Sequence, residues 1–441
     1  MTLSSLPVSS DLKPIAASHR AELIFWLACL LLSAPLLFAE RFSGAVVVAL
    51  ALAALILFAW RGLQTRTLLP PTPVNAANLV LLLALPIGWW ASTDHATSLP
   101  VIARALAGFI TFYGFANLAG SRWMRWLPWL WLILAGVLGV MLLFSVQWAT
   151  TKLPFLPSGL YTLLPTLRMP WQPEGFHPNV VGAAIGWLFL LSLALAVWAN
   201  QPDQRWLRRC AALVTLFLAL VLLLSQSRGA WLGVLMALVL IPALRFPRWR
   251  KGLLVVLAVA VLVITLVGPM QAARLILPDA TARETGINTL PGRIELWQRG
   301  LIMLRDFGLA GIGPGQFEPL ARVLYPPFYI GLQSNFHHVH NLYLQTALDF
   351  GVLALIALLA LLLGSGISLA AALMPWPSPT MQATGLPALA VGIFGSLIAF
   401  SVHGLLDAPQ VAAPNYWLIF ALLGTAAAII VHLRRAAAAQ G

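Results

Sequence analysis

The sequence predicts an all-α polytopic membrane protein of about twelve transmembrane helices, and three observations predict it. Of its 441 residues, 60% are hydrophobic and only 9% charged, where globular domains carry roughly a quarter charged residues. The mean hydropathy is +0.89. Apolar runs close to the roughly 20 residues that a helix needs to cross the hydrocarbon core recur along the whole chain. Together these exclude a soluble enzyme.

Taken in order, the expected spans are 22–38, 43–60, 77–93, 100–119, 126–148, 180–198, 209–225, 229–244, 252–268, 342–364, 386–404 and 413–433. No A-x-A-like cleavage site follows the polar first twenty residues, so the first run reads as a retained helix. The organisation is then 1–268, nine spans with a short external segment at 150–179; 269–341, a large external loop; and 342–441, three further spans. A connection of that length without a role of its own is uncommon. Cys29 and Cys210 make neither a disulfide framework nor a metal-binding spacing. The tryptophans near Trp89–Trp90, Trp123–Trp126–Trp129 and Trp148 fit interfacial belts.

The net charge of +13 comes from 26 Lys and Arg against 13 Asp and Glu. In a soluble protein it would raise nucleic acid as a partner; here positions matter more than the sum. Lys13, Arg20, the pairs Arg61/Arg66 and Arg122/Arg125, the clusters at 205–209 and 245–251, and Arg434/Arg435 fall on one side of the expected topology. By the positive-inside rule that side and both termini are cytoplasmic. Orientation does not require the other eleven: Arg41, Arg104, Lys152, Arg168, Arg228, Arg274, Arg283, Arg293, Arg299, Arg305 and Arg322.

Among these, Arg228 sits between two apolar runs in LSQSRGAW with no carboxylate in its turn. A guanidinium at membrane level normally has an anionic partner, so it reads as a phosphate or carboxylate clamp or as a snorkelling helix end. In the long loop, Gly292 to Phe307 (GRIELWQRGLIMLRDF) has Ile294, Trp297, Leu301 and Leu304 at helical spacing. Arg293 in its first turn opposes the helix dipole, which favours an anion-binding role. Arg299 follows Glu295 by four residues, so a local salt bridge competes with substrate contact. Arg305 beside Asp306 reads as ordinary surface.

Two polar clusters could carry chemistry. His337-His-Val-His-Asn341 opens the tenth expected span. A histidine there could be a general base, with His338 and His340 the candidates and Asn341 a possible helix N-cap. Three close histidines could also ligate a metal, but no neighbouring Cys or paired carboxylate completes a sphere; neither metal nor cofactor is expected. The second cluster is Glu174-Gly-Phe-His177-Pro-Asn179, where Pro178 suits an early helix position and Asn179 a cap. His403 and Asp407, four apart, could form a hydrogen-bonded pair beside the site.

GRIELWQRGLIMLRDFGLAGIGPGQF followed by HVHNLYLQTALDFG, with SQSRGAWLG and HPNVVG, resembles the core of the O-antigen ligase and polymerase superfamily. The resemblance runs from His177 onward; the first five spans match only in being hydrophobic. It implies a GT-C-like fold with a large periplasmic loop in the bacterial inner membrane. It also implies metal-independent transfer of O-antigen from undecaprenyl diphosphate to a sugar of the lipid A core, or, in a polymerase, extension of the carrier-linked glycan. The family's arginines and histidine carry over onto Arg228, Arg293 and His338, with His340 the alternative. Partners are then the carrier-linked donor, the lipid A core acceptor and membrane lipids, with no nucleic acid. The chemistry agrees: arginines stabilise the departing diphosphate, and a histidine deprotonates the acceptor hydroxyl for inverting attack without a carboxylate pair. A transporter would show midplane charges and repeat symmetry; the expected spans contain few charges, Asp349 being the main interior one.

Overall fold

The computed structural model describes residues 19–146, 159, 175–268, 271, 290–330, 336–374 and 376–438. Their regular secondary structure is helical, with a single isolated bridge between Val146 and Phe176. The helices are α1 (His19–Leu36), α2 (Gly44–Thr65), α3 (Asn75–Ala91), α4 (His95–Ala116), α5 (Leu127–Phe144), α6 (Pro178–Trp198), α7 (Arg205–Ser225), α8 (Arg228–Arg245) and α9 (Pro247–Val267). Then follow α10 (Leu290–Phe307), α11 (Phe317–Leu324), α12 (Leu342–Phe350), α13 (Val352–Ala372), α14 (Leu386–His403) and α15 (Ala413–Ala438). Most of the 150–179 segment, residues 269–289 apart from Gln271, and Lys13, Lys152, Arg168, Arg274 and Arg283 lie outside the described residues.

Each of the twelve expected spans holds a helix, but they are not equal. Among the described residues nine helices have the length and apolarity to cross a membrane, while Asn75–Ala91 and Arg228–Ala243 are shorter apolar helices. The tenth expected span is broken. Gly351, at φ 84°, ends α12 by donating to the Ala347 carbonyl, and the crossing helix α13 starts at the next residue. Hydropathy cannot see this break, because both sides of the glycine are apolar.

Helices α6, α14 and α15, with most of α4, form the buried centre, and α1, α2, α5, α7 and α13 surround them. Lipid provides no hydrophobic drive between helices, so close approach depends on small residues. Gly392 of α14 lies against the Leu191 backbone of α6, Gly233 of α8 against the Ala399 backbone of α14, and Gly424 of α15 against the Phe112 carbonyl of α4. The aromatic core joins these layers through Trp187 and Phe400, whose ring centroids are 5.4 Å apart.

The loop helix α10 follows its sequence pattern in part: Trp297 and Leu304 pack against the loop core. Its buried face is Leu296, Gly300 and Met303, while Leu301 is exposed. The shift arises because polar residues claim the interior: Arg293 and Glu295 are both buried. Glu295 accepts from the backbone N–H groups of Phe328, Tyr329 and Ile330 at 2.5–3.0 Å. The Gly/Pro turn 311–316 then stitches this subdomain to the bundle. Ser98 of α4 donates to the Pro314 carbonyl at 2.7 Å, and Gln316 Nε2 donates to the Asp94 carbonyl at 3.1 Å.

Two cations also differ from expectation. Arg61 is buried inside α2, donating from Nε to Asn117 Oδ1 at 2.6 Å. Arg104 lies ten residues into α4, not in an external turn.

At Gly351 an added Cβ would strike the Leu309 carbonyl oxygen and sit at positive φ. Gly351→Ala is expected to lower thermal stability in detergent by at least roughly 1–2 kcal/mol. Gly252→Ala, in α9 with open space around its Cβ, should be neutral or raise stability by up to about 1 kcal/mol. Equal melting temperatures for the two variants would contradict the described break.

Candidate functional site

The polar site forms where one set of helix ends meets. Alternation of the crossings puts the starts of α6 and α8, the end of α14 and the loop subdomain on the same side. The turn after α14 is tied to the start of α12, since the Leu342 N–H donates to the carbonyls of Gly404 at 2.8 Å and Asp407 at 3.0 Å. Asn341 caps α12, accepting from Tyr343 N–H at 3.0 Å and Leu344 N–H at 2.9 Å, and its Nδ2 donates to the Leu405 carbonyl at 3.0 Å. The capping reading of Asn341 therefore holds, with the amide also gripping the neighbouring turn.

At the centre of the cluster is the buried Asp407. Its Oδ1 lies 3.0 Å from His340 Nδ1 and accepts from the Ala408 N–H at 2.9 Å. Its Oδ2 accepts from Asn179 Nδ2 at 3.3 Å and lies 4.0 Å from Arg293 Nη2. Arg293 also donates from Nη1 to the Leu406 carbonyl, and its Nε has no hydrogen-bond partner. Burial alone would raise the Asp407 pKa; the His340 hydrogen bond and the charges of His340, Arg293 and His338 outweigh it and hold the carboxyl well below the usual range.

The two candidate histidines have different environments. His340, at φ 52°, gives its carbonyl to Trp297 Nε1 at 3.2 Å and faces the carboxylate through Nδ1. A neutral ring that donates from Nδ1 keeps its lone pair on Nε2, which can take a proton. His338 accepts the His340 N–H at its own Nδ1, 3.2 Å away. Its neutral tautomer therefore carries hydrogen on Nε2 and is a donor there. The rings lie 4.1 Å apart, centroid to centroid. Burial, then the charge of His340, pushes His338 down to about 3.

Other residues fall around this core. His177, not Asn179, caps α6: its Nδ1 accepts the Asn179 N–H at 3.2 Å, which leaves the Asn179 side chain to Asp407. The expected His403–Asp407 side-chain pair does not form; His403 Nδ1 has no hydrogen-bond partner, and Asp407 takes His340 instead. His403 packs against Gly229, the residue after Arg228 at the head of α8. Arg299 lies 3.8 Å from Glu295 and over the Phe328 ring at 5.0 Å, the local arrangement its spacing allows. Arg305 pairs with Asp306 at the surface.

A cavity of about 490 Å³ is lined by His177, Asn179, His338, His340, His403 and Asp407, among others. Its described walls do not include Arg228, Arg293 or Arg299, but do include Arg104 and Glu40. His338, His340 and Asp407 offer ligand atoms within 4.8 Å of one another. As a metal set they fit poorly: both Asp407 oxygens already accept hydrogen bonds, and the Arg293 guanidinium stands beside them.

Fold and site thus define a multi-pass membrane protein with a buried His–Asp–Arg constellation at one end of its helices. Residues 211–359, about a third of the chain, are similar to the O-Antigen ligase family and match its family model. The match runs from α7 into α13 and contains Arg228, Arg293, His338 and His340. Asp407 lies beyond it. Comparison with curated proteins gives no match.

The displaced His338 titration has a stability consequence. An unfolded histidine takes a proton near 6.5, the folded one only near 3, so acidification between those values favours the unfolded chain, by up to about 1.4 kcal/mol per pH unit. Asp407, ionised in the folded state well below its ordinary range, adds a further loss at lower pH. The melting temperature of His338→Gln is expected to fall less than that of the unaltered protein between pH 7 and 4.5. Parallel declines would contradict the half-buried neutral ring.

Proposed function

We propose that the protein is an O-antigen ligase: an inverting, metal-independent glycosyltransferase of the bacterial inner membrane. It moves O-antigen polysaccharide from undecaprenyl diphosphate to a sugar hydroxyl of the lipid A core on the periplasmic side, with both termini cytoplasmic. The observation that carries this reading is the His340–Asp407 contact beside Arg293, in a chain whose 211–359 region matches the ligase family model.

In this scheme Asp407 fixes the His340 tautomer and stabilises the imidazolium that forms. His340 Nε2 takes the proton of the acceptor hydroxyl as the oxygen attacks the anomeric carbon opposite the diphosphate. The bond to the diphosphate oxygen breaks, and Arg228 and Arg293 balance the charge that develops there. His338, neutral with hydrogen on Nε2, donates a hydrogen bond to the bound substrate. Asn179 and Asn341 hold Asp407 and its turn in place, with His177 capping α6, while Arg299 stays with Glu295.

Reconstituted protein, carrier-linked polysaccharide and rough lipopolysaccharide provide the test. His340→Ala and Asp407→Asn should each lower the transfer rate by roughly 10²–10⁴-fold, and His338→Ala by less. Arg228→Ala and Arg293→Lys should each cost on the order of 10²-fold. Full activity in His340→Ala would remove the base. A chelator should leave the rate unchanged; a loss restored by a divalent ion would overturn metal independence. Polysaccharide on lipid A core is the expected product, and a longer chain still on undecaprenyl diphosphate would make the protein a polymerase.

A further inference from the structure

Arg104 is a cation within a membrane-crossing helix that makes no ion pair within 4.0 Å among the described residues. It is the tenth residue of α4, about 14 Å along the helix at 1.5 Å per residue, well inside a membrane-crossing segment. Its Nε donates to the Pro100 carbonyl at 3.1 Å and its Nη1 to the Val411 carbonyl at 2.9 Å. Among the described residues no carboxylate lies within 4.0 Å of it, and Nη2 donates to none of them. Two carbonyls do not neutralise a guanidinium, and Glu40 and Asp349 act on it only from beyond ion-pair distance, whereas a charge in a membrane-crossing helix normally meets a closer counter-charge.

What surrounds it indicates where that counter-charge comes from. Arg104 lines the 490 Å³ polar cavity that also contains His338, His340 and Asp407. It lines, as well, a second cavity of about 130 Å³ whose walls include Leu81, Leu85, Phe109, Leu358 and Phe420. Asp349 borders this second cavity, but its Oδ1 is held by Gln345 Nε2 at 2.8 Å and the Gly315 N–H at 3.3 Å. Glu40 borders the polar cavity and attracts Arg104 from beyond ion-pair distance. The guanidinium thus stands where the chamber of His340 and Asp407 meets a smaller cavity whose walls are mainly hydrocarbon but also include His338, Gln345 and Asp349. A molecule that fits both carries an anionic group on a long hydrocarbon chain.

We propose that Arg104 binds the phosphoryl group of a lipid substrate, with the near end of the apolar chain entering the cavity of Leu81, Leu85 and Phe420. This rests on the glycosyltransferase reading and adds to it a phosphate contact from α4, outside the matched family region. The fork of Arg104 spends two donors on carbonyls that fix its direction, leaving Nη2 for the phosphate, to which charge-assisted bonding is strong. The shared chemistry could belong to the polyprenyl diphosphate donor or to the phosphorylated acceptor lipid.

Direct binding to the full-length protein in detergent separates these. Undecaprenyl diphosphate, farnesyl diphosphate and rough lipopolysaccharide serve as probes, with intrinsic tryptophan fluorescence as the readout. Arg104→Ala is expected to weaken undecaprenyl diphosphate at least tenfold and Arg104→Lys to restore most of it, both at unchanged melting temperature. Leu85→Trp, which narrows the apolar cavity, should weaken undecaprenyl and farnesyl diphosphate to a similar extent, since both present the same near end to it. Weakening of lipopolysaccharide alone would support the phosphate contact and assign it to the acceptor. Wild-type affinity of Arg104→Ala and Arg104→Lys for all three probes would overturn the proposal. Should Arg104→Ala fail to fold, Arg104→Gln and Leu85→Trp decide the same question by binding. Phosphate-lipid binding through Arg104 in a protein that transfers no glycan would sink the ligase reading and leave this one standing.

Discussion

A carboxylate held out of water sets the terms for the site. Removing an ion from water costs several kcal/mol unless hydrogen bonds and opposite charge replace hydration. Asp407 obtains these from three separate places: Asn179 at the start of α6, His340 ahead of α12, and Arg293 in the first turn of α10. None is near it in sequence. Its ionisation therefore draws a membrane helix, the tail of the external subdomain and the loop helix onto one point. The same contacts that satisfy the charge select the His340 tautomer whose free nitrogen can accept a proton.

The bundle makes that convergence possible. Glycines let α8 and α6 approach the α14 backbone, so that Arg228, His403 and Asp407 end up on adjoining helix ends. The break at Gly351 lets α12 lie as a separate short helix capped by Asn341, instead of running straight into the crossing segment. An uninterrupted span would give the HVHN stretch no such independent seat. Burial does two opposed jobs here: it keeps His338 neutral, and it makes the Asp407 charge depend on its partners.

Much of this was legible in the sequence, because hydropathy is a long-range average and reports the crossings well. All twelve apolar runs are helical, and Arg293, His338 and His340 meet in space as their residue types suggested. What composition could not reveal depends on partners distant along the chain. Asp407 reads as a neighbour of His403, yet it bonds to a histidine 67 positions away. Asn179 reads as a cap, but His177 caps and frees it. Of the expected α10 face, Trp297 and Leu304 pack against the loop core while Leu301 is exposed, because buried Arg293 and Glu295 take part of the interior. Arg104 reads as one more external cation; only the fold shows it between two cavities.

The central claim is that His340 and Asp407 act as one unit. A double-mutant cycle on kcat/KM for polysaccharide transfer, comparing His340→Ala, Asp407→Asn and the double variant, measures it most directly. Groups that act together are grossly non-additive, so the double variant should be no slower than His340→Ala alone. Losses that simply add would contradict the coupling and return Asp407 to a purely structural part.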